Sequence, residues 1–174
     1  MKIKPPKIYV LTDTHFGHLK LLVYANRTQN FAELILEQLN CLRHGDVLIH
    51  LGDFCIGNDK FWHEEFFRNI PIGVTTILVR GNHDKKSNSW YIRNGWSFVC
   101  KSFTDEYMGV PIVFSHRPTN LSDDFKGINI HGHTHGNAHR DFEHNMFYNE
   151  KHREIALEKT GYGPLLLDNI IKQK

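Results

Sequence analysis

Acidic and imidazole side chains recur in short polar segments, each of which directly follows an apolar run. The segments are Asp13-Thr14-His15, Gly52-Asp53, Gly81-Asn82-His83-Asp84, Ser115-His116-Arg117 and Gly132-His133-Thr134-His135. Within the Asp-x-His and His-x-His pairs the side chains are two positions apart, so in an extended segment both point to the same side. Carboxylate, amide and imidazole ligands without thiolates suit divalent Mn, Fe, Zn, Ni or Co. These residues predict a metal site.

Each of these segments also has an ordinary structural interpretation when it is taken alone. A Gly-Asp or Asp-x-His after a strand is commonly a turn, His-x-His is compatible with exposed surface, and Asp84 is compatible with a helix cap. All of the segments occur together in a chain of 174 residues, and each follows a predicted strand. The combination favours the metal site over the separate structural interpretations.

Short apolar strands that alternate with amphipathic helices must position these residues. The expected strands are 8–12, 47–49, 75–79, 97–99, 104–108, 111–114, 128–131 and 153–157, and the expected helices are 31–42 and 60–69. Strand–helix alternation followed by a hairpin predicts a layered α/β fold with a mixed sheet. In open α/β sheets ligand crevices form at the carboxyl ends of the strands, which is where the polar segments lie.

The order of the segments resembles that of the calcineurin-like metallophosphoesterases. The stretches Asp13 to His18 and Leu51 to Phe54 are particularly similar to the small bacterial and phage members of that family. The resemblance covers roughly residues 7–136, and the tail from Gly163 to Ile170 is similar to the last strand and turn of the family. It implies a four-layer α/β/β/α sandwich of two mixed sheets, with residues 1–174 as a single domain.

The resemblance also implies a role for each polar residue at the strand ends. It implies two groups of metal ligands with Asp53 bridging between them: Asp13, His15 and His135 for the first ion, and Asn82, His116 and His133 for the second. His83 is implied as the general acid or transition-state donor, with Asp84 holding its ring. A carboxylate such as Asp53 offers two oxygens to a pair of ions, which an imidazole does not. The neutral Asn82 limits the negative charge that an anionic substrate would meet.

The implied reaction is hydrolysis of a phosphoester by a hydroxide that bridges two divalent ions. Manganese is favoured, with Fe, Zn, Ni, Co or Mg as alternatives. We expect a phosphodiester of the nucleotide type or at a nucleic-acid end, because an alkoxide leaving group benefits from a proton donor such as His83. The alternatives are a phosphomonoesterase or pyrophosphatase on a small nucleotide and, more remotely, a non-catalytic scaffold of the same fold.

Other residues carry weaker signals. His18 either contacts substrate or serves as a structural cap, and Arg117 either contacts a phosphate oxygen or is solvated at the surface. Arg80 and His50 are expected in supporting or packing contacts. His44 and His63 are expected at the surface. The segment 137–153 interleaves cations with aromatic residues, a pattern that suits nucleic-acid binding, but its acidic residues favour an exposed loop or a dimer contact.

Composition excludes several classes of protein. The chain is 40% hydrophobic and 23% charged, which argues against a disordered or fibrous protein. Its net charge of +2 does not by itself indicate nucleic-acid binding. Its 3 cysteines form no CxxC pair, which predicts a reducing, cytoplasmic location. No apolar run approaches the length of a membrane span or of a signal peptide. The oligomeric state stays open.

Overall fold

A computed structural model of the chain describes residues 5–136 and 149–172. Its elements in chain order are β1 (Ile8–Leu11), α1 (Leu21–Tyr24), α2 (Phe31–Gln38), β2 (Val47–His50), α3 (Asp59–Arg68), β3 (Thr75–Val79), α4 (Asn88–Arg93), β4 (Phe98–Cys100), β5 (Ser102–Tyr107), β6 (Val110–Ser115), β7 (Ile128–His131), β8 (His152–Glu154), α5 (Leu157–Thr160), β9 (Leu165–Leu166) and α6 (Leu167–Ile171). A 3₁₀ turn, Leu39–Cys41, extends α2.

The first sheet has the strand order β4-β3-β2-β1-β9. Strands β1 to β4 are parallel neighbours, whereas β9 runs antiparallel to β1. Side chains alternate between two buried faces: Tyr9 and Leu11 pack with the helices, while Val10 between them packs with the second sheet. Burial on both faces explains why the strand sequences are continuously apolar rather than alternating with polar residues.

The second sheet has the order β5-β6-β7-β8 and packs face to face on the first. Strands β5 and β6 form the expected hairpin, and Met108 and Gly109 in its turn both have positive φ. Strands β6, β7 and β8 are parallel. Ile112, Phe114 and Ile130 of this sheet join residues of the first sheet in one apolar core. The expected α/β architecture with two mixed sheets and flanking helices is confirmed.

Several local predictions were wrong or incomplete. The strand expected at 153–157 is β8, His152–Glu154, and Leu157 instead begins α5. The turn expected in the tail is the helix α6. Helix α1 was not predicted because a helix of 4 residues is too short to show a periodic pattern. Helix α4 was also missed, although the side chain of Ser87 caps it by accepting from the Trp90 N–H.

Two further observations concern the segment 137–153 and the length of the helices. Most of the segment singled out as basic and aromatic, 137–153, lies outside the described residues, which resume at residue 149. Among the described helices, none has the length and the apolar character that a membrane span requires.

Candidate metal centre

The loops that follow the strands are held together by backbone hydrogen bonds. The Asp13 N–H donates to the Gly52 carbonyl over 2.9 Å, and the His15 N–H donates to the Asp53 carbonyl over 3.0 Å. The second sheet joins in the same way, because the Gly132 N–H donates to the His116 carbonyl over 3.0 Å. The polar segments after β1, β2, β6 and β7 therefore meet at one end of the sandwich.

Backbone conformation at these positions is unusual. The φ angle is positive at five site residues: Asp13 (50°), His15 (46°), Asp53 (55°), His133 (77°) and His135 (55°). The paired side chains therefore reach one site through left-handed residues, and not through the extended segment that their spacing suggested. Such residues cost about 1–3 kcal/mol each and cluster at functional sites. Asp and His are among the side chains that tolerate this region best.

The first ligand group consists of Asp13, His15 and His135. Asp13 Oδ1 lies 3.6 Å from His15 Nε2 and 3.8 Å from His135 Nε2. Among the described residues, Asp13 Oδ1 and both ring nitrogens of His15 are buried without a hydrogen-bond partner. Burying polar atoms without a partner is costly, and a cation between them would remove that cost. The group therefore fits a metal ion.

The second ligand group consists of Asn82, His116 and His133. His116 Nε2 lies 3.1 Å from Asn82 Oδ1 and 3.0 Å from His133 Nδ1. Asp53 Oδ2 lies between the two groups, 3.6 Å from His15 Nε2 and 3.4 Å from His116 Nε2. Asp53 is thus placed to be shared by two ions, and the mixed oxygen and nitrogen donors fit divalent transition metals.

The buried Arg27 and the partly buried Glu158 lie behind the first ligand group and orient it. Glu158 Oε1 lies 3.1 Å from His135 Nδ1 and accepts from Arg27 Nε over 2.8 Å. Arg27 also donates to the Asp13 carbonyl over 2.7 Å and to the Thr14 carbonyl over 2.9 Å. The second ring nitrogen of a metal-binding histidine usually has such a partner, which fixes the ring and its tautomer. Arg27 and Glu158 lie 131 residues apart, and the sequence contains no motif that links them.

Asp84 has partners other than the expected one. Its Oδ2 accepts from the N–H groups of Asp53 (2.8 Å) and Gly81 (2.7 Å), and its Oδ1 accepts from the N–H of Phe54 (3.0 Å). These contacts replace the expected one with the His83 ring, since both carboxylate oxygens are occupied by backbone amides. Asp84 therefore fixes the loop that carries Asp53.

His83 and His18 lie on the open side of the centre. The His83 N–H donates to Asp53 Oδ1 over 2.7 Å, and its exposed ring places Nε2 3.9 Å from Asp53 Oδ2. The ring of His15 lies 5.3 Å from that of His83 and 5.4 Å from that of His18. All three histidines line a hollow of about 60 Å³ that Tyr24 also borders. Any substrate that reaches the ligand groups from this side would meet His83 and His18.

Arg117 and the other supporting residues occupy different positions. Arg117 is exposed and donates from Nη2 to Asn82 Oδ1 over 3.3 Å. Arg80 donates to the Asp84 carbonyl and to Asn88 Oδ1. His50 lies 3.0 Å from Thr14 Oγ1 and accepts from the Gly52 N–H, so it supports two of the site loops. His63, which was expected at the surface, is fully buried.

Comparison with known proteins identifies the family. The family model of the calcineurin-like phosphoesterases matches residues 6–172. The chain belongs to the calcineurin-like phosphoesterases. The family is one of phosphoesterases, and the two ligand groups are candidate metal-binding residues of this member.

Two further comparisons cover nearly the whole phosphoesterase chain. An uncharacterized protein of Methanocaldococcus jannaschii is 31% identical over 174 residues, which cover 95% of this chain and 90% of that protein. A solved structure of a protein of unknown function from Aquifex aeolicus aligns with a TM-score of 0.73 at 23% identity, covering 95% of this chain and 97% of that one. The second likeness shows that the fold is shared.

Electrostatics in the phosphoesterase site keep the carboxylates of Asp13 and Asp53 ionised. Burial by itself would raise the pKa of Asp13, but its contact with His15 and the charges of His116 and His135 hold that pKa well below its usual range. Burial would likewise lower the pKa of His116, yet Asp53 and Asp13 raise it to about 9. The two carboxylates therefore favour the protonated form of His116 when no metal is bound. A metal ion that binds there must displace this proton, since a ligating imidazole is neutral.

Proposed function

We propose that this phosphoesterase hydrolyses a phosphodiester of the nucleotide type or at a nucleic-acid end, with two divalent ions held by the two ligand groups and Asp53. The observation that supports this most strongly is the position of Asp53 Oδ2, 3.6 Å from His15 Nε2 and 3.4 Å from His116 Nε2. One carboxylate oxygen thereby faces both groups. Manganese is the ion we favour for this set of nitrogen and oxygen donors.

The residues around the ions have separate roles in the proposed reaction. Two bound divalent ions would lower the pKa of a shared water and neutralise charge on the phosphate. Asp84 and Arg27 hold the loops of Asp53 and Asp13 in place through backbone contacts. His83 is fixed by its N–H contact with Asp53 Oδ1 while its ring stays exposed, so the ring is free to donate a proton to the leaving oxygen.

Substrate contacts and cellular context complete the proposal. We assign His18 and Arg117 to substrate binding, because they flank the first and second ligand groups respectively. The family match over residues 6–172 supports a single catalytic domain over residues 1–174. The cytoplasmic location stays a prediction that rests on cysteine usage.

Two chromogenic esters test the substrate class. Protein stripped with a chelator and reloaded with manganese is assayed on bis(p-nitrophenyl) phosphate and on p-nitrophenyl phosphate. We expect a preference for the diester of about tenfold or more. The diester carries a second ester group that the monoester lacks, and a diesterase site accommodates that group. A preference for the monoester would replace the diesterase by the phosphomonoesterase alternative. Turnover of neither ester by protein with two bound ions would favour the scaffold alternative.

A further inference from the structure

A basic cleft adjoins the second ligand group. It has a volume of about 430 Å³, and Asn82 and His116 form the wall that it shares with the metal centre. Its other walls include the cations Arg80, Lys101 and Arg117. None of the described residues that line it is acidic. The volume is within the usual range for small-ligand pockets, about 300–1,000 Å³.

The cations of the cleft differ in how much of their hydrogen-bonding capacity is in use. Arg80 is fixed by bonds to the Asp84 carbonyl and to Asn88 Oδ1, so it is a constant positive charge in the wall. Arg117 donates one hydrogen bond, from Nη2 to Asn82 Oδ1 over 3.3 Å. Lys101 is exposed, and within residues 5–136 and 149–172 no carboxylate lies within ion-pair distance of it or of Arg117.

Three cations elsewhere on the described surface, by contrast, each lie close to a carboxylate. Lys60 pairs with Glu64 over 3.7 Å, Arg68 pairs with Glu65, and Lys86 lies 3.8 Å from Asp59. The cleft therefore concentrates positive charge without carboxylates, directly beside two metal ligands. An Arg fork and a Lys ammonium are the side chains that bind phosphate groups in proteins.

We propose that the basic cleft binds a second phosphate group of the substrate, through Lys101 and Arg117, while the scissile phosphate lies at the metal centre. The inference rests on the proposed function and narrows its substrate class to phosphodiesters that carry a further phosphate, as in a dinucleotide with a terminal phosphate or an oligonucleotide end. Arg117 would then link the two positions, because it touches Asn82 and faces the cleft.

Calorimetric binding of two nucleotides tests the cleft directly. Manganese-reloaded protein is titrated with adenosine 3′,5′-bisphosphate and with adenosine 5′-monophosphate. We expect the bisphosphate to bind at least about tenfold more tightly, the gain that one charge-assisted contact to phosphate supplies. In the double variant Lys101→Gln/Arg117→Gln this ratio should fall to nearly one. The control Lys60→Gln/Arg68→Gln removes the same charge from α3 and should preserve the ratio.

The outcomes separate the cleft from the catalytic proposal. Equal affinity for the two nucleotides, or an equal loss of the ratio in the control, would overturn the role of the cleft even if the diester is hydrolysed. A bisphosphate preference that the cleft variant abolishes, in a protein that hydrolyses neither chromogenic ester, would support the cleft and contradict the hydrolase. Thermal unfolding of each variant verifies folding, and the single variant Lys101→Gln, with a partial loss of the ratio expected, substitutes if the double variant fails to fold.

Discussion

Histidine side chains are buried in two regions of the molecule, and the groups that surround their rings differ between the two. At the metal centre the Nε2 atoms of His15 and His116 face the carboxylates of Asp13 and Asp53. In the aromatic core beneath the helices, His63 instead lies 4.3 Å from the Phe54 ring, and its Nδ1 donates to the Asp59 carbonyl over 2.7 Å.

The pKa values of His63 and His116 shift in opposite directions. In the aromatic core burial lowers the pKa of His63 to about 4, and the ring stays neutral at physiological pH. At the metal centre burial acts in the same direction on His116, but Asp53 and Asp13 outweigh it and raise the pKa to about 9. At His15, by contrast, burial outweighs the same two carboxylates and the pKa is lowered. The two regions therefore differ in the carboxylates that face the histidine rings, which mark a position that a divalent cation can occupy, and not in one common charge state of the rings.

The largest effect is expected from Asp53→Asn, which removes the carboxylate that both ligand groups share. We expect both ions to be lost and diester turnover to fall by about 10³-fold, because metal ions supply several kcal/mol of transition-state stabilisation. Metal content per chain and the rate on bis(p-nitrophenyl) phosphate measure this. The exposed Asp123→Asn is the matched control. Two retained ions with normal turnover would remove Asp53 from the bridging position.

His83→Ala tests the exposed histidine of the centre. The variant should keep both ions and lose turnover of a dinucleotide, whose leaving group is an alkoxide, by about 10²–10⁴-fold, the usual contribution of general acid catalysis. His44→Ala, at an exposed position on the loop before β2, is the control. A fully active His83 variant would contradict the proton-donor role. Loss of an ion from the His83 variant would also contradict the proton-donor role. It would indicate that His83 is a metal ligand, since its Nε2 lies 3.9 Å from Asp53 Oδ2.

Glu158→Gln tests the support behind the first ligand group. Because Glu158 orients His135 and neutralises Arg27, we expect the affinity for one ion to fall by about 10–100-fold, with activity restored at higher manganese concentration. Equilibrium dialysis against manganese gives the affinity. The exposed Glu106→Gln should behave like the parent protein. Unchanged affinity of both ions would limit Glu158 to a structural role.

His63→Leu tests the neutral histidine of the aromatic core. The unfolded chain binds a proton near pH 6.5 and the folded chain only near pH 4, so protonation favours unfolding as the pH falls through this window. Each unit of pKa difference corresponds to about 1.4 kcal/mol, so His63 should lower the free energy of unfolding by roughly 2 kcal/mol between pH 7.5 and 5.

Urea unfolding of metal-free protein at those two pH values measures the effect. In His63→Leu the decrease in the free energy of unfolding should be smaller by that amount, while His44→Leu should leave it unchanged. An equal decrease in the parent protein and in His63→Leu would show that His63 does not titrate as a buried group.

Local sequence information predicted the parts of the structure that local forces determine. The apolar runs of β1, β2 and β3 identified strands, and the polar residues directly after them identified the loops that meet at the centre. The support from Arg27 and Glu158 was out of reach, because two charged residues 131 positions apart carry no mutual pattern. The prediction placed His63 at the surface because histidine is polar. The sequence of α3 does not show that aromatic rings enclose this side chain.

Asp84 shows a different limit of sequence reasoning. Its neighbour His83 suggested a ring contact, but backbone amides on two loops bind its carboxylate instead. Hydrogen bonds to backbone N–H groups depend on how loops approach each other in space, and side-chain identity says little about that. The left-handed backbone conformation of Asp13 and His15 could not be predicted from the sequence for the same reason.

Anomalous X-ray scattering from crystals of the manganese-reloaded protein tests the central claim most directly. The account predicts two manganese peaks, one within the first ligand group and one within the second, with Asp53 as a ligand of both. A single peak, or two peaks of which only one contacts Asp53, would contradict a centre built around a shared carboxylate.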